Sequence, residues 1–307
     1  MSYTGRLWWN IKPLSDILML WGHSHLFQGG IKGKLQYHFR KFKDFTINTK
    51  RISSYDLSEK NLIFFFDIIN DLSPKTLISY SGNVFKLAKF MDENNLNFKF
   101  GKIENVIVTS EPIYTKDIEI IKKKFAFNII NEYGMAETGV IGYSKNKTQN
   151  IKVFWRNFIL TSNNNSNLYL TTMSERVFPL INYDTEDKVV TRLIKNNSIL
   201  SIKEIVGKSR NNLKIKMKDG STKEISTIYF DHILKYIPNI YSIQYKISQG
   251  IIYIILNANK KIDLQDTIRK CFKAITKDFG LPDEKKLKII LAKSSKTVSG
   301  KHAVLIK

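Results

Sequence analysis

Tyr133-Gly134-Met135-Ala136-Glu137 sets an aromatic ring, a glycine and a carboxylate directly after the apolar run Phe127-Asn128-Ile129-Ile130. That run reads as a buried strand, which puts the group just past a strand's carboxyl end, where open α/β sheets bind their ligands. Tyr133 offers a flat face on which a base can stack, and Glu137 offers oxygen to a hard cation such as Mg²⁺. Gly134 marks the turn. His23 and His25 have the spacing of a metal pair but no third ligand is evident, so they are read as structural. Cys271 is the single cysteine. It excludes an internal disulfide and a thiolate zinc site, and fits a reducing cytoplasm.

The elements that must hold these residues alternate in the manner of a parallel α/β core. Ser58 is a candidate cap for a helix through Leu62, Phe65, Phe66 and Ile69, and Pro74 ends that region. Thr76–Tyr80 reads as a strand, Val84, Leu87, Phe90 and Met91 as one face of a helix, and Asn105–Thr109 as the next strand. A helix from Thr115 to Phe125 leads back to the strand before Tyr133. From 150 to 205 the pattern changes to short strands, Val153–Leu160, Leu168–Met173, Val177–Tyr183 and Leu200–Ile205, with Asn163-Asn164-Asn165 as a turn. They predict an antiparallel, barrel-like segment on the α/β core. The polar stretch 207–212 reads as a hinge. After it comes a small α+β domain whose clearest helix runs from an Asp263 cap to Gly280, with Leu264, Ile268, Phe272, Ile275 and Phe279 as its stripe and Cys271 beside it. The expected division is 1–206, hinge 207–212, and 213–307.

With 307 residues and 43% hydrophobic content the chain can bury a sizeable core. It has no apolar run long enough to span a bilayer and does not begin like a signal peptide. Its net charge is +22, which raises nucleic acid or an anionic membrane surface as a partner. The excess is mostly Lys scattered among Asn and Ile, a compositional drift that explains the charge without a function. The densest run holds Lys32, Lys34, Arg40, Lys41 and Lys43, interleaved with Tyr37, Phe39 and Phe42. That interleaving suits single-stranded nucleic acid, and a basic nucleic-acid-binding protein is carried as the alternative of a different class.

Taken in order along the chain, several segments resemble the motifs of adenylate-forming ligases, which activate a carboxylic acid with ATP. Tyr133 to Glu137 resembles their Tyr-Gly-x-x-Glu signature, and Thr109-Ser110-Glu111-Pro112 the loop bordering the adenine pocket. Phe178 to Asp187 resembles Pro-Leu-Ile-Arg-Tyr-x-Thr-Gly-Asp, with Asn182 in place of Arg and Glu186 in place of Gly. Gly207-Lys208 stands at the Gly-Arg hinge motif, and Thr297-Val298-Ser299-Gly300-Lys301 resembles the carboxy-terminal Ser-Gly-Lys loop. Leu20 to His25, Ser79 to Gly82 and the Ala136 variant of the signature are most similar to the phenylacetate–CoA ligase and CapK-type branch of capsule and O-antigen clusters.

The resemblance implies a two-domain cytoplasmic ligase that forms acyl-AMP from ATP and an acid, with Mg²⁺, and passes the acyl group to CoA or an amine. It implies that Ser110, Glu111, Pro112, Tyr133, Gly134, Met135 and Ala136 hold adenine, Asp187 and Lys208 the ribose, Glu137 the metal and Lys301 the phosphate. The family's Ser/Thr/Gly-rich phosphate loop has no counterpart in residues 1–30; Gly29, Gly30 and Gly33 are too sparse. The expectation is of a chain beginning after that loop, short by roughly a hundred residues, completed by an amino-terminal chain, acting as a homodimer, or left as a non-catalytic remnant.

Overall fold

The computed structural model describes residues 2–21, 31–52, 54, 59–145, 148–174, 177–208, 212–234, 237, 239–258, 262–292 and 305–306. The chain separates into two compact units, 1–208 and 209–307.

The first unit is built on a mixed sheet of eleven strands in the order β2-β1-β3-β4-β5-β6-β7-β11-β10-β9-β8. Its parallel part comprises β1 (Ile17–Leu20), β2 (Thr49–Ile52), β3 (Thr76–Tyr80), β4 (Ile103–Thr109) and β5 (Ala126–Met135). Leu77, Ile78, Val106, Ile107, Val108, Ile129 and Ile130 are all buried, as expected of parallel strands covered on both faces. On one face Ile17, Ile78, Ile107 and Ile130 cluster with Trp8, Trp9 and Ile11 of the amino-terminal segment. That segment begins with α1 (Ser2–Leu7), whose Gly5 lies against the Tyr143 ring so closely that an added Cβ would meet it at 2.0 Å. The connecting helices are α2 (Ile31–Thr46), α3 (Glu59–Leu72), α4 (Ser81–Glu93) and α5 (Thr115–Lys124). They follow the expected apolar periodicity in α3 and α4, where Leu62, Phe65, Ile69, Val84, Leu87, Phe90 and Met91 are buried. Ser58 lies outside the described residues. The parallel order 2-1-3-4-5 reverses direction between β1 and β3, so a crevice is expected at the carboxyl ends there.

From β5 onward the pairing is antiparallel: β6 (Gly139–Ser144), β7 (Ile151–Val153), β8 (Phe158–Ser162), β9 (Asn167–Thr172), β10 (Tyr183–Lys195) and β11 (Ser198–Lys208). These strands wrap their own core of Ile141, Ile151, Val153, Phe158, Leu160, Leu168, Leu170, Val189, Ile199 and Ile202. The parallel core with an antiparallel segment is therefore as expected. Two boundaries differ. Val153–Leu160 is two strands, broken by a turn in which the Asn157 amide donates to the Phe154 carbonyl at 2.8 Å. Of the expected strand Val177–Tyr183 only Tyr183 is in a strand, as the first residue of β10; 177–182 is a largely exposed loop, where Pro179 removes a ladder donor and Asn182 sits at φ 47°.

The second unit holds a β-hairpin, β12 (Asn212–Lys216) with β13 (Thr222–Ser226). A four-stranded sheet is ordered β16-β15-β14-β17, from β14 (Ile240–Ser248), β15 (Ile251–Ala258), β16 (Leu287–Leu291) and β17 (Leu305–Ile306). α6 (Thr227–Leu234) and α7 (Leu264–Phe279) complete it. Asp263 caps α7 as the sequence predicts, its Oδ1 accepting the Asp266 amide at 2.9 Å. Cys271 and Ile275 are fully buried with Ile254, Leu256 and Leu287. Burial pushes the Cys271 thiol up to about 12, as suits a core filler.

Candidate functional site

The site grows from the carboxyl ends of β3, β4 and β5. β4 ends at Thr109, and the chain then turns sharply through Ser110, a non-glycine residue held at φ 68°. Such left-handed backbone persists only where its surroundings enforce it. Here the Ser81 hydroxyl donates to the Glu111 and Pro112 carbonyls, each at 3.0 Å, while the Gly82 amide donates to Glu111 Oε2 at 2.8 Å. The Ser110-Glu111-Pro112 loop is thus tied to the first turn of α4, and Gly82 is needed because a Cβ there would meet Glu111 Oε2 at 2.6 Å. Beside it the Trp21 and Tyr80 rings pack at 4.4 Å between centroids.

One strand over, β5 departs from the sequence reading. Tyr133 and Gly134 do not follow the strand; they belong to it, because β5 runs on to Met135 and pairs with β6, Tyr133 opposite Gly142. Glycine on both strands permits this approach: a Cβ on Gly134 would strike the Gly139 carbonyl oxygen at 2.5 Å. The turn comes later, at Ala136-Glu137-Thr138, and Ala136 and Glu137 are exposed in it.

Tyr133 and Asp187 meet. The Tyr133 hydroxyl donates to Asp187 Oδ2 at 2.8 Å, and the two residues are only 6% and 8% exposed. The ring packs into the core of the antiparallel segment, so its edge and hydroxyl, rather than an open face, meet the site. Burial, then the Asp187 charge, holds the Tyr133 phenol well above the ordinary tyrosine range. Asp187 is aimed there by a bulge. Between the pairs Asp184↔Tyr169 and Lys188↔Asn167, β10 carries more residues than β9, and Glu186 at the bulge has φ 61°. The extra residues turn the following side chain toward the sheet's interior. Thr185 secures the bulge: its hydroxyl donates to the Leu168 carbonyl at 2.8 Å and accepts the Asp187 amide at 3.2 Å. The sequence reading passed over Thr185, although a Thr two residues before a buried Asp is the signature of such a local bond.

The remaining expected residues fall into three groups. Lys208 pairs in register with Asp187 across β10 and β11; only its backbone is described. Glu137 is the sole expected metal ligand, and among the described residues no group of three His, Cys, Asp or Glu could hold an ion. One exposed carboxylate fits Mg²⁺ only in the common manner in which substrate phosphates and water supply the other oxygens. His23, His25 and Lys301 lie outside the described residues. A second polar cluster was not foreseen: the Tyr143 hydroxyl donates to Glu132 Oε2, with Arg6 near enough to oppose the upward push of burial and of Glu132 on that phenol.

No family model matches the chain, and no curated protein does. Solved structures do. A 2-hydroxyisobutyryl-CoA ligase in the postadenylation state, in complex with R3-HIB-AMP, aligns with TM-score 0.63 and 12% identity over 98% of this chain and 67% of its own. An anthranilate CoA ligase in complex with anthranoyl-AMP aligns at 0.60 and 12% over 97% of this chain and 61% of its own. An acetoacetyl-CoA synthetase from Streptomyces lividans aligns at 0.60 and 11% over 99% of this chain and 50% of its own. The chain has the fold of these adenylate-forming ligases and spans between half and two thirds of their length.

Proposed function

We propose that this chain is an adenylate-forming ligase, activating a carboxylic acid with ATP. In the reaction a carboxylate oxygen of the acid bonds to the α-phosphorus of ATP, the bond from that phosphorus to the bridging oxygen breaks, and pyrophosphate leaves. The observation that carries the reading is the buried Tyr133–Asp187 bond at 2.8 Å, beside a strained loop at the carboxyl ends of parallel strands. Asp187 is given the ribose hydroxyls, as acceptor of their hydrogen bonds. Ser110-Glu111-Pro112 and the Tyr133–Ala136 backbone are given the adenine, Lys208 a share of the ribose, and Lys301 the phosphate as a compact point charge. Mg²⁺, when bound through Glu137 and the phosphates, would screen the triphosphate charge. CoA or an amine is given the role of acyl acceptor. Capsule or O-antigen synthesis, a cytoplasmic setting and the phenylacetate–CoA ligase branch belong to the same proposal, resting on the motif resemblance.

A second reading is favoured by the length comparison: these residues supply the nucleotide side, and the phosphate cradle comes from further polypeptide. ATP–pyrophosphate exchange with a panel of carboxylic acids, together with AMP binding by calorimetry, separates the two. Exchange that is lost in Asp187→Asn and Lys301→Ala supports the first. AMP binding that depends on Asp187, without exchange, supports the second. AMP binding absent, or equal in wild type and Asp187→Asn, overturns both.

A further inference from the structure

Helix α2 is mounted with its apolar side facing away from the protein. Leu35, Phe39, Phe42 and Phe45 recur at helical spacing and fall within about 120° of arc. They are 53%, 73%, 68% and 82% exposed. Diametrically opposite Phe42 and its neighbours, Asp44 is buried and bonded to Arg51 of β2, whose Nε reaches both carboxylate oxygens at 2.8 and 2.9 Å. An amphipathic helix packed on a sheet normally turns its apolar stripe inward; here an ion pair anchors the polar side instead. Asn48, just beyond the helix, donates to the Leu14 carbonyl at 3.2 Å, which brings the exposed Leu14 side chain to the same end.

The charges beside the ridge are of one sign. Asp44 is the only acid in the sequence of α2, which carries five Lys or Arg, and Lys41 and Lys43, on the two flanks of the ridge, are both exposed. The phenylalanines alone would suit a protein cover, but the exposed Lys on both flanks disfavour one, because Lys is depleted at protein–protein interfaces. Single-stranded nucleic acid fits less well, because the four large apolar side chains of the ridge outnumber its hydrogen-bonding groups, the exposed His38 and Thr46. Phe and Leu on one face, with Lys alongside and no free acid, is the composition of helices that lie in the interfacial layer of an anionic bilayer.

We propose that α2 seats the protein on an anionic membrane surface, with Leu35, Phe39, Phe42 and Phe45 entering the headgroup–acyl boundary and Lys41 and Lys43 meeting lipid phosphates. The seat lies on the membrane and does not cross it; no described helix is long and apolar enough to span one. The inference is independent of the ligase reading.

The test is co-sedimentation of the whole chain with vesicles of phosphatidylcholine containing about one third phosphatidylglycerol, against phosphatidylcholine alone. Binding is expected to the anionic vesicles, to fall about tenfold or more in the double variant Phe39→Glu/Phe42→Glu, and to weaken in Lys41→Glu/Lys43→Glu and at ~1 M salt. The substituted side chains are exposed, so an unchanged urea midpoint shows that each variant is folded. Absence of binding to the anionic vesicles overturns the proposal, as does binding that the phenylalanine variant retains. So does a Phe-dependent dimer by light scattering, or Phe-dependent binding to poly(dT), without vesicle binding; these would identify a second copy or nucleic acid as the occupant.

Discussion

Removing one oxygen tests the centre of the candidate site. Tyr133→Phe keeps the ring in its cluster and deletes the hydroxyl that donates to Asp187 at 2.8 Å. A hydrogen bond to a charged group contributes about 1.5–3 kcal/mol, and the acceptor left behind is a carboxylate with little access to water. The urea midpoint should therefore fall by the equivalent of about 2 kcal/mol, with the m-value unchanged. Without its donor the carboxylate loses a hydrogen-bond partner and a constraint on its rotamer. AMP affinity should then weaken about tenfold, less than in Asp187→Asn.

The alkaline limb adds a readout that a packing role would not move. In the folded chain the Tyr133 phenol keeps its proton far above the ordinary value, through burial first and the Asp187 charge second. Above pH ~10 the unfolded chain gives up that proton while the folded chain retains it, so unfolding is increasingly favoured. The stability from this group is complete below pH ~10 and drains away as the pH rises further. Tyr143 acts in the same direction, through burial and Glu132. Tyr133→Phe should remove its own part of the decline and leave the parts due to Tyr143 and Cys271. An unchanged midpoint at neutral pH together with an unchanged alkaline slope would refute the role given to this bond.

Gly134→Ala should cost about 1–3 kcal/mol or more in urea denaturation, because its Cβ would meet backbone, the Gly139 oxygen at 2.5 Å and Val140 Cα at 3.0 Å; a neutral effect would contradict the close β5–β6 approach. Glu186→Gly should raise stability by about 1 kcal/mol by relieving the left-handed backbone at φ 61°, and a lowered urea midpoint would show that the carboxylate does something the backbone does not require. The Cys271 thiol, pushed up to about 12 by burial, should react with a maleimide only as the second unit unfolds; its contribution to stability is complete below pH ~8.5 and lost as the pH climbs toward 12. Rapid stoichiometric labelling of the native chain would contradict its burial.

The parts of this fold that were legible are those whose burial is complete and local. Val106-Ile107-Val108 and Ile129-Ile130 read as strands because strands covered on both faces are apolar throughout, and α7 was bounded by its own Asp263 cap and Gly280. The errors lie where partners decide. Val177-Phe178 and Leu180-Ile181 are as apolar as a strand, yet Pro179 interrupts the donor ladder and the segment lies exposed. β5 runs through Tyr133 to Met135 because β6 presents Gly142 to it, and nothing within the Tyr133 motif encodes that glycine. Its effect on the site is large. Were Tyr133 in a loop, its ring face would be open to a base; carried on a strand, it points into the antiparallel core and meets Asp187, 54 residues away. No spacing rule links two residues joined through a bulge on β10, but the Gly that the resembled motif carries at the position of Glu186 was a trace of the positive φ found there. The two motifs thus named residues that the fold brings together while mistaking their geometry: what the fold makes of them is a buried phenol holding a carboxylate, and in the proposed site the chemistry depends on how firmly that carboxylate is held.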